Sequence, residues 1–226
     1  MSQSRNWEQI VADLKRRFDA TLDTVRIGDR RFEFFRPRSA DRLLDEALLD
    51  RDAALPYWAE VWPSSIVLAE RVAELTGDGR RCLELGAGCG LSSLVAAAAG
   101  YEVTASDYCA EALEFVALNA WHNKLRAIHT KIVDWHDLPD DLRTFDLVIG
   151  GDVLYESHHP NLVAAAIERA LSREGEAIVT DPSRATAVTF EIECRKRALV
   201  VHRDPPRTTK YAAMRHVVDT YWIRHV

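Results

Sequence analysis

The 226-residue chain has few of the residues that disulfide scaffolds and metal proteins need. Its four cysteines, Cys82, Cys89, Cys109 and Cys194, form no CxxC pair and have no zinc-like spacing. The eight histidines are scattered along the chain. The sequence therefore predicts a reduced, intracellular protein without a metal site.

A long apolar segment is also missing. The alanine-rich run at 94–99 is far too short to span a bilayer, and the polar stretch at 1–10 has no apolar signal-peptide core. We therefore predict a cytoplasmic protein with no membrane partner.

The chain has no basic excess either. It carries 29 Lys and Arg against 35 Asp and Glu, for a formal net charge of −6. Binding to a phosphate backbone needs clustered positive charge, so no nucleic-acid partner is predicted. A negatively charged protein suits a cationic substrate better than an anionic one. We also expect a monomer.

An alternating α/β pattern occupies most of the chain. Strand-like apolar runs end at residues 85, 107, 133, 149 and 180, and helical segments separate them. Two β-rich runs at 198–203 and 214–223 follow, with a link too short for a helical crossover. The predicted class is a Rossmann-like, seven-stranded, mostly parallel sheet with helices on both faces and an antiparallel C-terminal hairpin.

The N-terminal part is predicted to be an addition to this sheet. Apolar residues at helical spacing predict a helix over 7–18, and Gly28-Asp29 lies between two runs typical of a β-hairpin. A second short helix is predicted over 41–49. We divide the chain into an extension at 1–54, either a lid or recognition element or a simple stabilising addition, and a main domain at 55–226.

A glycine-rich turn stands between the first strand of the main domain and the next helix. The sequence at 81–93, RCLELGAGCGLSS, contains Gly86, Gly88 and Gly90. Glycine tolerates positive φ and lets a ligand approach the backbone, and such turns bind nucleotide-like cofactors in α/β sheets. Leu91 occupies the sixth position of the dinucleotide fingerprint, so the turn suits a cofactor without a pyrophosphate.

Acidic residues follow three successive strands. Asp107 ends one strand, Asp134-Trp135 follows the next, and Asp152 with Tyr155 follows the third. Ligands bind beyond the carboxyl ends of the strands in open α/β sheets, so these residues together outline a site. Asp107 lies where an acid can bind both hydroxyls of a ribose.

An aromatic segment precedes the glycine turn. The sequence at 55–65, LPYWAEVWPSS, holds two tryptophans and a tyrosine in an irregular stretch. Large aromatics in such a segment either fill a core or face a ligand, and core filling is the commoner role.

These features together resemble the class I S-adenosylmethionine-dependent methyltransferases, and more narrowly the protein-lysine methyltransferases called methyltransferase family 16. The resemblance extends over about 55–184. It is carried by PYWAEVWPS at 56–64, ELGAGCG at 84–90, SDY at 106–108, Asn119 with Asn123, and GDVLYE at 151–156.

The resemblance implies a role for each matching residue. The implied cofactor-binding residues are Trp62, Glu84, Gly86, Gly88, Gly90, Asp107, Tyr108, Asp134, Trp135 and Asp152. Asp107 would bind the ribose hydroxyls, and Asp134 with Trp135 would bracket the adenine. Asp152 and Tyr155 would be the catalytic pair that faces the target amine.

The implied reaction is methyl transfer from S-adenosylmethionine, which leaves as S-adenosylhomocysteine, to a lysine side chain of a protein. Because the sulfonium already activates the methyl group, positioning and water exclusion supply most of the rate. Asp152 would therefore orient the amine rather than act as a strong base. Two alternatives remain open: a small-molecule amine methyltransferase, and a non-catalytic regulatory module that binds S-adenosylmethionine.

Motifs of nucleic-acid methyltransferases are not found at the fourth strand. The sequence Asp204-Pro205-Pro206-Arg207 is similar to the motif of amino-methyltransferases, but it lies in the predicted terminal hairpin, where it is interpreted as a turn. The Pro-Cys pair of cytosine C5 enzymes is absent at the fourth strand.

Overall fold

The computed structural model describes residues 6–40, 43, 56–126, 128–211 and 214–226. The helices of these segments are α1 (Trp7–Phe18), α2 (Pro63–Ala73), α3 (Leu91–Ala98), α4 (Ala110–His122), α5 (His159–Ala170) and α6 (Ala187–Arg195). The strands are β1 (Thr21–Ile27), β2 (Arg30–Arg36), β3 (Arg81–Leu85), β4 (Glu102–Asp107), β5 (His129–Ile132), β6 (Phe145–Gly151), β7 (Leu171–Asp181), β8 (Leu199–Arg203), β9 (Arg207–Tyr211) and β10 (Met214–His225).

The main sheet has the strand order β5-β4-β3-β6-β7-β10-β8, and β9 pairs with β10 off this path. The strands from β5 to β7 are parallel, whereas β10 runs antiparallel to β7, β8 and β9. The chain leaves β3 toward β4 on one side and later returns to β6 on the other. The carboxyl ends of β3 and β6 therefore form a topological switch point, where ligands bind in such sheets.

Helices cover both faces of the sheet, and each face has its own core. On one face, α2, α3 and α4 pack through Leu68, Leu94 and Val116. On the other, α5 and α6 pack through Ile167 and Phe190. A parallel strand buried on both faces must be apolar on both, which explains the nearly continuous apolar sequences of the central strands.

The N-terminal segment forms α1 and a separate two-stranded sheet. Strands β1 and β2 pair antiparallel around a two-residue turn in which Gly28 has a φ of 56°. A type II′ hairpin requires this conformation at the first turn position, and glycine adopts it without a steric penalty. The hairpin residues Phe32 and Phe34 belong to the same core as α2, α3 and α4, so the segment packs directly on the main sheet's helices.

The predicted fold class is confirmed, including the antiparallel terminal pair of β8 and β10. The short link between those strands contains an additional strand, β9, which sequence patterning did not predict. The helix predicted over 41–49 lies outside the described residues apart from Leu43, and the division near residue 55 stays a prediction. Within the described segments, no helix has the length and apolar character needed to cross a membrane.

Candidate active site

A cavity of about 410 Å³ opens at the carboxyl ends of β3, β4 and β6. Nine of the residues predicted for the site line it: Trp62, Gly86, Gly88, Asp107, Tyr108, Asp134, Trp135, Asp152 and Tyr155. These residues come from five separate stretches of the chain. The switch point between β3 and β6 brings them together.

The glycine turn lies on one wall of the cavity. Gly88 has a φ of 52°, and its backbone N–H donates to Asp107 Oδ2 over 2.9 Å. A Cβ atom on Gly88 would lie 3.0 Å from the carbonyl oxygen of Trp58. A Cβ on Gly86 would lie 3.1 Å from Val153 and 3.4 Å from the Trp135 ring. Glycine is therefore needed at both positions for the turn to approach its neighbours.

Asp107 holds the turn and remains part of the cavity wall. Its Oδ1 accepts from the Cys109 N–H over 3.0 Å, while Oδ2 accepts from Gly88. Burial raises the pKa of the Asp107 carboxyl, and the backbone N–H donors of Cys109 and Gly88 oppose that shift. A hydrogen-bonded carboxylate in this position is suited to accept from ligand hydroxyls.

Two predicted cofactor residues do not line the cavity. Gly90 caps α3, and a Cβ atom there would meet Val116 at 2.9 Å. Glu84 is fully buried behind the turn and accepts a hydrogen bond from the Ser93 hydroxyl. Burial raises the pKa of the Glu84 carboxyl to about 8, so this side chain is mostly protonated at neutral pH. Both residues support the glycine turn from behind, and direct contact with a cofactor stays a prediction.

Asp134 and Trp135 form an adjoining part of the wall. Asp134 is exposed, and its Oδ1 accepts from the His136 N–H over 2.8 Å, which lowers the pKa of the carboxyl. The Trp135 ring meets the His159 ring edge to face at 5.3 Å between centroids. Trp135 thus offers a flat apolar surface beside the glycine turn.

Aromatic side chains form a further part of the cavity lining. Tyr57 packs edge to face on Tyr155, with centroids 5.2 Å apart, and on Trp62 at 6.3 Å. The Trp62 Nε1–H donates to the Tyr57 carbonyl over 3.0 Å, which orients the indole ring. Tyr155 also meets His159 at 4.4 Å. This cluster gives the cavity lining around Tyr155 an aromatic surface.

Asp152 occupies an unusual backbone position at the end of β6. Its φ is 61°, a left-handed conformation that few residues other than glycine adopt, and its N–H donates to the Thr180 carbonyl over 2.9 Å. Oδ1 forms an ion pair with Arg184, whereas Oδ2 is buried and has no hydrogen-bond partner in the described part of the chain. Burial raises the pKa of Asp152, and the Arg184 cation opposes this shift.

Several wall residues were missed by sequence reasoning. They are Tyr57, Trp58, Glu60, His136, Glu156, His158 and His159. The aromatic stretch at 55–65 was a usable signal, because Tyr57 faces the cavity while Trp58 also packs on Phe115 at 5.8 Å. No local pattern marked His159, which reaches the wall only because α5 begins beside Tyr155. Among the described residues, no group of three or more potential ligands is arranged to hold a metal ion.

The fold is that of Rossmann-like methyltransferases. The crystal structure of M. jannaschii TYW2 in complex with AdoMet matches with a TM-score of 0.59 at 14% identity, covering 91% of this chain and 87% of that one. The chain belongs to the lysine methyltransferase family, whose sequence profile matches residues 52–190. The predicted family is therefore confirmed.

Curated relatives of this family match over part of their length. The Xenopus laevis protein named histone-arginine methyltransferase METTL23 is 31% identical over 58% of this chain and 59% of its own length. The Xenopus tropicalis protein N-lysine methyltransferase METTL21A is 32% identical over 46% of this chain and 52% of its own. The matched region thus spans between half and three-fifths of these relatives.

Proposed function

We propose that this protein transfers a methyl group from S-adenosylmethionine to a lysine side chain of a protein substrate. The observation that carries the proposal is the cavity at the switch point. Its lining includes the glycine turn, Asp107 and Trp135, which suit a nucleoside, and Tyr155 and Asp152, which suit an apolar side chain ending in an amine. Membership of the lysine methyltransferase family supports the same reaction.

The cavity residues fit this cofactor. Gly86 and Gly88 leave the turn without side chains at the point where a ligand would contact the backbone. Asp107 would accept hydrogen bonds from the ribose hydroxyls, and Trp135 would pack on the adenine. Trp62 would cover the methionine part. When bound, the sulfonium supplies an activated methyl group, and the transfer of this methyl group needs no acid catalyst.

The aromatic wall and Asp152 act on the target amine. A free lysine has a pKa of about 10.4, so its ammonium must lose a proton before the side-chain nitrogen can attack the methyl carbon. The apolar channel of Tyr57, Trp62 and Tyr155 disfavours the charged form by desolvation. Asp152 orients the neutral amine by accepting an N–H hydrogen bond, and positioning of this kind supplies much of the rate. The cytoplasmic location, the monomeric state and the lack of a nucleic-acid partner remain part of the proposal.

A labelled-methyl experiment tests the reaction and its target. The purified protein is incubated with methyl-labelled S-adenosylmethionine and a cell lysate, and macromolecules are separated from small molecules before amino-acid analysis. We expect label in protein, as methylated lysine. Label on arginine, or only in small molecules, would contradict the lysine substrate. Cofactor binding without transfer to any fraction would instead identify a regulatory module.

Two variants test cofactor binding and methyl transfer separately. Asp107→Ala should abolish cofactor binding, because it removes both the ribose acceptor and the anchor of the Gly88 N–H. Asp152→Ala should retain cofactor binding and lose transfer. Asp140→Ala is the matched control, since its side chain is fully exposed and outside the cavity wall. Normal binding and turnover in both cavity variants would show that the assigned site is wrong.

A further inference from the structure

Asp152 belongs to a cluster of three charged side chains, together with Asp181 and Arg184. The Arg184 Nη1 atom pairs with Asp152 Oδ1 and also lies 3.2 Å from Asp181 Oδ2. The Asp152 and Asp181 side chains are only 3% and 0% exposed. Arg184 itself does not line the cavity, and its side chain is 29% exposed.

The turn after β7 presets the position of Arg184. The Arg184 N–H donates to Asp181 Oδ1 over 2.6 Å, and Ser183 between them adopts a left-handed φ of 62°. This turn directs the chain back toward the sheet end and brings the guanidinium to Asp152. The cation is therefore positioned before any substrate arrives, and its ordering adds no entropy cost at binding.

Two buried carboxylates share this one cation. Burial raises the pKa of both Asp152 and Asp181, and the Arg184 contacts oppose the shift in both. The next acid, Asp219 on β10, has its own partner, because Arg203 Nη2 lies 2.7 Å from Asp219 Oδ2. Without Arg184, the Asp152–Asp181 pair would lack a close cation and would retain a proton to higher pH.

The remaining groups around Asp152 do not replace this cation. Tyr155 lies on the cavity side, and burial raises the pKa of its phenol to about 12, so it stays neutral. Asp107 also lines the cavity but is itself acidic, and Ser64 of α2 contributes only a hydroxyl. Arg184 is thus the cation that pairs with Asp152 within the described residues.

On the basis of the proposed function, we propose that Arg184 is the positioning residue of the transfer site. It holds Asp152 through Oδ1, and so fixes the position and the charge of a carboxylate that borders the cavity. Asp152 Oδ2 is buried and forms no hydrogen bond in the described segments, so the ion pair with Arg184 is the main contact that fixes this carboxylate.

The experiment compares Arg184→Gln and Arg184→Lys with Arg203→Gln. The last variant is a matched control, because it removes a cation from a different buried acid at the same end of the sheet. For each protein, cofactor Kd and the pH profile of kcat/KM for a methyl-acceptor protein are measured. Titration of Asp152 by carboxyl-carbon NMR gives a readout that needs no turnover.

Arg184→Gln should lower kcat/KM by roughly 100-fold, the scale of a misplaced reacting group, with little change in cofactor Kd. The acid limb of its rate profile should move to higher pH together with the Asp152 titration, by about one pH unit or more, where each unit equals about 1.4 kcal/mol. Arg184→Lys keeps the positive charge. Its Asp152 titration should lie close to that of wild type, and its kcat/KM should be partly restored.

The following outcomes for the Arg184 variants would overturn the proposal. A pH profile and an Asp152 titration in Arg184→Gln identical to those of Arg203→Gln would show that Arg184 is only structural. If Arg184→Gln does not fold, Arg184→Lys still tests the proposal. Its Asp152 titration should stay close to that of wild type and its kcat/KM should stay within about tenfold, and a complete loss of transfer would contradict a charge-based role. If wild type methylates no protein, the proposed function fails, while the NMR titration still decides whether Arg184 controls Asp152.

Discussion

The side-chain amide of Asn119 makes a reciprocal pair of hydrogen bonds with the backbone of Phe35. Asn119 Oδ1 accepts from the Phe35 N–H over 2.6 Å, and Nδ2 donates to the Phe35 carbonyl over 2.9 Å. Nδ2 also donates to the Cys89 carbonyl over 3.0 Å. One buried side chain on α4 therefore connects the N-terminal hairpin to the glycine turn.

Asn123 repeats the contact one helical turn later. Its Oδ1 accepts from the Glu33 N–H over 3.1 Å, and its Nδ2 donates to the Glu33 carbonyl. Four residues along a helix advance about 6 Å, and two residues along a strand advance about 6.6 Å. The two asparagines therefore match the open edge of β2 and satisfy backbone groups that an edge strand would leave unpaired.

Asn119→Ala should be strongly destabilising. It leaves three buried backbone groups without partners, the Phe35 N–H, the Phe35 carbonyl and the Cys89 carbonyl. Each orphaned group costs about 1–3 kcal/mol, so we expect the free energy of unfolding to fall by at least about 3 kcal/mol. Cofactor affinity should also fall, because the carbonyl at Cys89 is no longer held. Urea unfolding and calorimetric titration with S-adenosylmethionine measure the two effects.

Asn123→Ala is the matched control for that prediction. It removes the same kind of reciprocal contact from a less buried site, where water can replace it, and we expect a loss of about 1 kcal/mol with cofactor affinity retained. Equal losses in the two variants would show that the link to the glycine turn has no special role.

Gly88→Ala should weaken cofactor binding, and Gly28→Ala should not. Both glycines have similar left-handed φ values, 52° and 56°, but a Cβ on Gly28 meets nothing within 4 Å. Both variants should lose about 1–2 kcal/mol of stability through backbone strain. Only Gly88→Ala also pushes against the Trp58 carbonyl, so only it should lose about tenfold or more in cofactor affinity. Similar affinities for both variants would contradict this explanation.

Glu84 should make the protein less stable as pH rises. The folded pKa of its carboxyl is about 8, above the ordinary value of 4.5, so the folded state holds a proton that the unfolded state releases. Its stabilising contribution is complete below pH 4.5 and is lost as pH rises to about 8. In wild type, Glu84 should lower the free energy of unfolding by at least about 1 kcal/mol between pH 5 and 8. Glu84→Gln should remove this decrease.

Urea unfolding of wild type, Glu84→Gln and Glu102→Gln across this pH range measures the effect. Glu102 is an exposed acid on the adjacent strand and should leave the profile unchanged. Parallel curves for wild type and Glu84→Gln would mean that Glu84 is ionised in the folded protein.

The cavity wall should favour target lysines that have basic neighbours. Its charged residues are the acids Glu60, Asp107, Asp134, Asp152 and Glu156, and no Lys or Arg among the described residues lines it. Peptides with Lys or Arg beside the target should show kcat/KM about tenfold above Glu-flanked peptides at low salt, and added salt should reduce this ratio. Glu156→Gln should reduce the preference, whereas Glu174→Gln, outside the wall, should not. A preference for acidic flanks would contradict the charge argument.

The order of strands and helices could be predicted because it depends on local patterns. The glycines after β3 and the acids after β4 and β6 are local features as well, and the general rule that ligands bind at carboxyl strand ends placed them at one edge. Nine predicted site residues therefore do line one cavity. Glu84 and Gly90 do not, because alternate residues of a strand face opposite sides and a turn has an inner and an outer surface.

The sequence by itself thus determined the fold class, the family and the set of side chains available to the site. Only the tertiary structure decided which of them meet, because the decisive contacts join distant parts of the chain. Asn119 binds Phe35 across 84 residues, and Arg184 reaches Asp152 only through the β7 turn. Burial and partners, which no local pattern encodes, then shift the pKa values of Glu84 and Asp152.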